Sequence, residues 1–162
     1  MRNYVTSKIG RSLLSSLYPI IYTTFTRLHP KKDPISYEKR NGCFKIYNNR
    51  TGESICVHDY KYLYRIQSES EATFADRFKN KYTLDGFVEI NKGDVVIDGG
   101  AHVGGFSLAV SNHADHVFAI EPDPRLQDAL TRTLGSIDNV EIHQIALGDS
   151  SGDVEFLLAS NP

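Results

Sequence analysis

The sequence of 162 residues contains no tryptophan, one methionine and only two cysteines, Cys43 and Cys56. Two cysteines are too few for the disulfide framework of a small secreted domain, so a reducing compartment is expected. If 43–47 and 54–58 pair as a hairpin, the two cysteines lie opposite each other, where a cross-strand disulfide is geometrically feasible. A pair of free, buried thiols is the favoured alternative.

The sequence also lacks a long hydrophobic run. Its most apolar early stretch, residues 13–28, is interrupted by serine, threonine and proline and is shorter than the ~20 residues that span a bilayer. Basic residues precede it, but no small-residue cleavage site follows. The spacing favours a helix packed on the protein's own core, and peripheral membrane contact through residues 12–28 is the alternative. A cytoplasmic location is expected.

An excess of charge of one sign is absent as well, since 18 basic and 20 acidic residues leave a net charge of −2. The bulk electrostatic attraction that supports nucleic-acid binding is therefore missing, and no nucleic-acid partner is expected. The length and the 40% of apolar residues are sufficient for one globular domain with a hydrophobic core.

The pattern of residues changes near residue 90. Residues 1–90 predict an N-terminal extension made of a helix, a linker, a β-hairpin and one or two further helices. The hairpin is predicted from alternating apolar residues within 42–58, on either side of turn-forming residues at 48–52. Tyrosine and phenylalanine at helical spacing within 60–82 predict the last helical part, and such aromatic residues are usually part of a core.

Residues 91–162 predict strands that alternate with helices, which is typical of parallel βαβ units. Asp123 is the predicted N-cap of the second helix, with Pro124 at its first position. Strands are predicted at 95–98, 117–120, 140–145 and 154–158, and helices at 106–112 and 124–137. The expected fold class is therefore α/β, a Rossmann-like parallel sheet with helices on both faces.

A glycine-rich turn, DGGAHVGG at residues 98–105, follows the first of these strands. Glycines let a ligand approach the backbone, and ligands bind at the carboxyl ends of parallel strands. A dinucleotide site would need G-x-G-x-x-G, but His102 stands at the place of the middle glycine. Asp98 also disfavours a pyrophosphate, because two like charges ~4 Å apart cost about 4 kcal/mol at an effective dielectric of 20.

Glu121 ends the next predicted strand, where a carboxylate can accept hydrogen bonds from both hydroxyls of an adenosine ribose. S-adenosylmethionine (SAM) carries a sulfonium and an ammonium group and no phosphate. Carboxylates at two neighbouring strand ends, Asp98 and Glu121, therefore suit this ligand. The residues favour SAM over a dinucleotide.

The segments VIDGGAHVG (96–104) and FAIEPDP (118–124) resemble the FkbM family of class I SAM-dependent methyltransferases, and NVE (139–141) and IALGD (145–149) extend the match. The resemblance covers about residues 84–160. It implies O-methylation of a hydroxyl on a sugar or a related small molecule or glycan, with SAM as the cofactor. No metal site is predicted.

The resemblance also implies which residues contact the cofactor. Those in the glycine-rich turn would line its methionine end, Glu121 would hold the ribose, and the others would lie around the adenine. Two positions differ from the family: His102 replaces a usual asparagine, and Gly99 replaces a usual apolar residue. The complete set is Asp98, Gly100, Ala101, His102, Gly104, Glu121, Pro122, Asp123, Ala146 and Leu147.

The class I fold that the sequence resembles has seven strands, of which the one at 95–98 is central. The fourth parallel strand that would lie beside it is not found in the sequence, so the chain is expected to be a fragment or a truncated product. Such a piece would bind SAM weakly, transfer no methyl group, and self-associate through the open edge at 95–97. No catalytic base is identified, since the histidines are scattered.

Two alternatives to an enzyme of this type stay open. A degraded methyltransferase can serve as a non-catalytic binding module, which the change at His102 and the missing strands would suit. A dinucleotide-binding oxidoreductase domain is the other, and the absence of G-x-G-x-x-G counts against it.

Overall fold

The computed structural model describes residues 35–40, 42–58, 74–84, 86–155 and 157. The helix predicted from residues 12–28 lies outside these residues, as do the linker and much of the helical part predicted at 60–82. Among the helices of the described part, none is long and apolar enough to cross a membrane.

The N-terminal part of the described chain forms an antiparallel sheet of three strands in the order β1-β2-β3. These strands are β1 (Ile35–Arg40), β2 (Cys43–Asn48) and β3 (Ser54–Val57). The predicted hairpin is thus confirmed as β2 and β3. β1 was not predicted, because four of the six residues in ISYEKR are polar or charged and the alternation of Ile35 and Tyr37 with polar residues ends at Glu38.

The turn between β2 and β3 sets the register of the hairpin. The buried side chain of Asn48 accepts hydrogen bonds at its Oδ1 from the backbone N–H groups of Arg50 and Thr51, at 2.9 and 3.3 Å. In the resulting register Cys56 pairs with Lys45. The prediction that Cys43 and Cys56 lie directly opposite each other is therefore wrong. Both cysteines are buried and free.

The second part of the described chain is a parallel sheet in the order β4-β5-β6, which confirms the Rossmann-like α/β prediction. Its strands are β4 (Val95–Gly99), β5 (His116–Ile120) and β6 (Val140–His143). The helices are α1 (Phe74–Tyr82), which precedes the sheet, and α2 (Gly105–Ser111) and α3 (Gln127–Leu134), which connect its strands.

Helix α3 begins at Gln127 and not at the predicted Pro124. The residues before it form a turn in which the N–H of Leu126 donates to the carbonyl of Asp123 at 3.1 Å. Asp123 nevertheless makes the hydrogen bond of an N-cap, because its Oδ1 accepts from the backbone N–H of Arg125 at 2.9 Å. The predicted cap was right in its chemistry and wrong in where the helix begins.

The third and fourth predicted strands are shorter than expected. β6 ends at His143 and does not reach residue 145. The described residues of the strand predicted at 154–158, which are 154, 155 and 157, are not in a strand. Val154 and Leu157 are 67% and 85% exposed. A strand with alternating apolar residues is specified where one of its faces is buried, and Val154, Glu155 and Leu157 are all exposed.

The two faces of the parallel sheet have different environments. Val117 and Ala119 are completely buried on the face that α2 and α3 cover. Val95 and Ile97, on the opposite face of the edge strand β4, are 61% and 65% exposed. Among the described helices, α2 and α3 therefore cover one face of this sheet and leave the other open.

One hydrophobic core joins the two sheets. Ile46 and Ile55 of the antiparallel sheet belong to the same buried cluster as Leu130 and Leu134 of α3. The backbone N–H of Cys56 also donates to Oγ1 of Thr133 on α3 at 3.0 Å. α3 contacts both β3 and β6 and so lies between the sheets.

Gly104 fixes the position of α2 against α3. Its φ angle is +83°, which favours glycine, and it immediately precedes the helix. A Cβ atom at this position would lie 2.8 Å from Cδ1 of Leu134 and 3.0 Å from Cδ1 of Leu130. Both the backbone conformation and the close packing therefore require glycine.

We expect Gly104→Ala to lower the free energy of unfolding by about 2–4 kcal/mol, because it adds left-handed backbone strain to a steric overlap in the core. Chemical denaturation measures the change. Gly93→Ala is the matched control, since Gly93 has a φ of +96° but no atom within 4 Å of an added Cβ. Equal losses in the two variants would show that the packing against Leu134 contributes nothing.

Burial, together with a hydrogen bond to Cys56, raises the pKa of Cys43 from 9.0 to about 12. In the unfolded chain this thiol ionises near pH 9, whereas in the folded protein it stays protonated. Its contribution to stability is therefore complete below pH 9 and is lost as pH rises from about 9 to 12. We expect the unfolding free energy of the wild type to fall more steeply over this range than that of Cys43→Ala, and parallel curves would contradict the shift.

Candidate functional site

The glycine-rich turn is held to the end of the neighbouring strand by backbone hydrogen bonds. The N–H groups of Gly100 and Ala101 both donate to the carbonyl of Ile120, at 2.8 and 2.9 Å. The N–H of Gly104 then donates to the carbonyl of Ala101 at 2.8 Å, and the chain enters α2. Asp98 pairs in register with Ala119, so the ends of β4 and β5 meet at this turn.

Glu121 follows the end of β5 and is buried, with only 7% of the residue exposed to solvent. Its Oε2 accepts from the backbone N–H of His102 and its Oε1 from that of Asp123, both at 2.9 Å. A carboxylate oxygen can accept two hydrogen bonds, so each oxygen retains capacity for one more donor. Glu121 thus stabilises the turn and keeps the acceptor capacity that two hydroxyl groups would need.

The backbone conformation at His102 explains why the sequence departs from the usual asparagine. His102 has a φ of +54°, in the left-handed region, where Asn, Asp and His are enriched among non-glycine residues. The group that bonds to Glu121 is the backbone N–H of His102 and not its imidazole. A histidine can therefore replace asparagine here without losing this contact.

Asp98 is partly buried at the end of β4 and accepts a hydrogen bond of 2.6 Å at Oδ2 from Oγ of Ser107. Burial raises the pKa of Asp98 above its ordinary value, and the nearby Glu121 carboxylate raises it further. The Ser107 hydrogen bond acts in the opposite direction and favours ionisation. The two carboxylates are thus close enough to repel each other, and a cation between them would relieve that repulsion.

A cavity of about 410 Å³ opens beside the turn. Four of the predicted residues line it, namely Asp98, Gly100, Ala101 and His102. Residues of α1 form another wall of the cavity, which the sequence did not predict. Its volume is in the range of small-molecule sites. The lining residues are Val57, Arg77, Phe78, Lys81, Tyr82, Asp98, Gly100, Ala101, His102, Val103, Gly105 and Phe106.

Aromatic contacts hold α1 against the start of α2. A Cβ atom on Gly105 would lie 2.5 Å from the ring of Phe78, so that ring occupies the space above the glycine. The rings of Tyr82 and Phe106 meet edge to face, with centroids 5.0 Å apart. The sequence interpretation treated these aromatic residues as core and missed the wall. The signal that it left unused is a pair of basic residues, Arg77 and Lys81, one helical turn apart.

The other predicted residues lie outside this cavity. Arg125 donates hydrogen bonds to the Asp123 carboxylate from Nη2, at 2.6 Å, and from Nε, and these hydrogen bonds lower the pKa of Asp123.

The remaining predicted residues surround the turn. Leu147 lies over Gly99, because a Cβ atom added to Gly99 would be 3.1 Å from Cδ1 of Leu147, so a larger residue at position 99 would displace Leu147. Pro122 is half-buried next to Glu121, Ala146 is exposed, and Gly104 underlies the turn against α3.

The side chains of two histidines of the parallel sheet lie beside Glu141. Nε2 of His116 and Nε2 of His143 lie 3.6 and 3.2 Å from the carboxylate oxygens of Glu141. Across the described residues, no group of three or more His, Cys, Asp or Glu side chains could hold a metal ion.

No protein-family model matches the chain. A stretch of 60 residues is 40% identical to part of the ribosomal RNA small subunit methyltransferase A of Natranaerobius thermophilus, which is 36% of this chain and 20% of that protein. The match thus spans about a fifth of the length of this curated relative.

Solved structures with a similar fold include a tRNA methyltransferase from M. jannaschii, with 19% identity, a TM-score of 0.44, and coverage of 91% of this chain and 44% of that chain. TYW2 from P. horikoshii, solved in complex with MeSAdo, has 20% identity and a TM-score of 0.47, with coverage of 88% and 53%. Values this low carry no conclusion about activity.

Glu121→Gln is expected to lower the free energy of unfolding by about 1–3 kcal/mol without any ligand, because an amide offers one acceptor to two backbone N–H groups. Denaturant titration monitors the loss. Glu141→Gln, a change of the same kind at an exposed site on β6, should stay within about 0.5 kcal/mol of the wild type. If the two variants unfold alike, Glu121 does not hold the turn.

Proposed function

We propose that the parallel-sheet part of the chain binds SAM and is part of a SAM-dependent methyltransferase. The observation that carries this proposal is the pair of carboxylates, Asp98 and Glu121, at the ends of two hydrogen-bonded strands beside a tight glycine turn. Their mutual repulsion is part of what raises the pKa of Asp98. A ligand with a sulfonium and an ammonium group would offset that cost.

The same geometry disfavours a dinucleotide. A pyrophosphate bound at this turn would come close to the Asp98 carboxylate, and the repulsion would cost about 4 kcal/mol at a separation of ~4 Å. The match of 60 residues to a protein named as a methyltransferase points to the same class of enzyme. These two independent observations support SAM as the cofactor.

The role that we propose for each residue follows from its hydrogen bonds. Glu121 would accept the two ribose hydroxyls with the acceptor positions that His102 and Asp123 leave unused. Asp98, Gly100, Ala101 and His102 would line the methionine end, since they share one cavity. Pro122, Ala146 and Leu147 would lie around the adenine, and Asp123 would contribute mainly by ordering the turn before α3.

We further propose that the methyl acceptor is a hydroxyl group on a sugar or a related small molecule or glycan, and that the enzyme is of the FkbM type. This rests on the motifs at 96–104 and 118–124. Methyl transfer from a sulfonium depends mainly on the alignment of donor and acceptor, and a base assists when the acceptor is a hydroxyl. An RNA acceptor is the second candidate, because the curated relative is named for ribosomal RNA.

We expect isothermal titration at neutral pH to detect binding of SAM and S-adenosylhomocysteine but not of NAD. SAM affinity should fall as the pH decreases through the raised pKa of Asp98, because the protonated carboxyl no longer attracts a cation. Asp98→Asn should weaken SAM about tenfold and remove this pH dependence.

Ser107→Ala provides a matched test of the same pH dependence. Without the Ser107 hydrogen bond the pKa of Asp98 rises further, so the loss of SAM affinity should begin at a higher pH than in the wild type. Binding of NAD with an affinity equal to that of SAM, or SAM affinity that Asp98→Asn leaves unchanged, would overturn the proposed function.

A further inference from the structure

The strand β4 is the open edge of the parallel sheet. Among the described strands, only β5 pairs with it. Val95 and Ile97 on this strand are both well exposed to solvent. The edge therefore combines backbone groups that no described strand pairs with and apolar side chains that no described helix covers, and such an edge is a template for pairing with another strand.

The hydrogen bonds at the two ends of β4 show which of its backbone groups face outward. The carbonyl of Asp94 accepts from the N–H groups of residues 115 and 116, and the N–H of Gly100 donates to the carbonyl of Ile120. Successive residues of a strand direct their N–H and C=O groups to opposite edges, so the even-numbered residues of β4 face β5. The outward-facing residues are Val95, Ile97 and Gly99.

β4 lacks the features that usually keep an exposed edge from pairing. Its sequence VVIDG contains no lysine and no proline, and its register with β5 is continuous, without a bulge. The one charged side chain of the strand, Asp98, bonds to Ser107 of α2 and so lies on the face that this helix covers. No charged side chain of β4 on the open face therefore opposes the approach of a second strand.

The outward-facing groups of β4 are complementary to those of a second copy of the same strand in the antiparallel direction. A register centred on Ile97 overlaps the whole strand and places Val95 opposite Gly99 of the second copy. All the pairs formed by outward-facing residues are then hydrogen-bonded pairs, in which each residue donates once and accepts once. Asp98 lies opposite Val96 in this register, so the two Asp98 carboxylates are not directly opposed.

The side chains on the open face suit the same register. Gly99 has no side chain of its own, and Cδ1 of Leu147 would lie 3.1 Å from a Cβ atom at this position. Val95 of the second copy would lie opposite Gly99, with the two Cα atoms ~5.5 Å apart, and would pack against the exposed Leu147. The two Ile97 side chains would meet at the axis. Apolar surface that is exposed in one copy is then buried between two.

We propose that two copies of the chain associate by antiparallel pairing of their β4 strands about a two-fold axis at Ile97, which joins their parallel sheets into one continuous sheet. The interface consists of one strand edge and a few side chains. It therefore belongs to the small, weak class of protein–protein contacts, and the association depends on concentration. This pairing does not depend on which ligand the cavity binds.

Sedimentation velocity of the full chain, from micromolar to millimolar concentration, tests the association. The wild type should change from the mass of a monomer to that of a dimer and grow no further. Ile97→Lys should associate about tenfold more weakly or not at all, because like charges directly opposite each other destabilise a strand pair. Val154→Lys is the matched control, since it changes an equally exposed apolar residue outside the strands and should dimerise like the wild type.

A mixture of two oppositely charged variants tests the position of the axis. Ile97→Lys and Ile97→Glu each place like charges opposite each other, so neither should self-associate. Mixed together they should form a heterodimer, because the two introduced charges are then of opposite sign. Circular dichroism and thermal unfolding at low concentration check that both variants are folded, which the exposure of Ile97 leads us to expect.

Amide hydrogen exchange, followed by NMR, tests which backbone groups pair. The amides of Val95, Ile97 and Gly99 should exchange quickly in dilute wild-type protein and become protected as its concentration rises. Those of Val96 and Asp98 face β5 and should be protected at every concentration. In Ile97→Lys the first group should stay unprotected throughout the same range.

A wild type that stays monomeric at millimolar concentration, or that associates without new protection of the amides at 95, 97 and 99, would overturn the proposal. Growth to masses beyond the dimer, or a loss in Val154→Lys as large as that in Ile97→Lys, would show general apolar association and also reject it. The absence of a heterodimer in the mixture would exclude an axis at Ile97.

Discussion

The carboxylate of Glu121 is the group on which the arrangement of this site depends. It is buried and accepts hydrogen bonds from two backbone N–H groups, those of His102 and Asp123. One of these belongs to the turn after β4 and the other to the turn before α3, so a single side chain joins both connections to the end of β5. A buried carboxylate is tolerated because each of its oxygens accepts a hydrogen bond.

Packing around this centre brings distant parts of the chain to one cavity. α3 lies between the antiparallel and parallel sheets, and Gly104 allows α2 to approach it closely. Gly105 then leaves room for the ring of Phe78, which places α1 beside the turn. The cavity is thus lined by Asp98 from the sheet and by Arg77 and Lys81 from α1, and the contacts that stabilise the fold are the ones that bring these residues together.

The sequence predicted the elements whose signals are local. The apolar run at 95–97, the glycine turn and the hairpin at 42–58 each have a distinct residue pattern, and all three are present, although Val95 and Ile97 are exposed. The polar strand β1 has no such pattern and depends on pairing with β2. The register that pairs Cys56 with Lys45, and not with Cys43, depends on the Asn48 turn, and the role of α1 depends on contacts across more than 20 residues. Neither could be derived from spacing alone.

The most direct test of the account is a titration of isotopically labelled protein with SAM, followed by two-dimensional NMR of the backbone amides. The account predicts that the amide signals of residues 98–104 and of Glu121 shift together and saturate, and that those of β1 and β2 do not. NAD should leave both groups of signals in place. Shifts confined to other parts of the chain, or the same shifts on addition of NAD, would contradict a SAM site formed by Asp98 and Glu121.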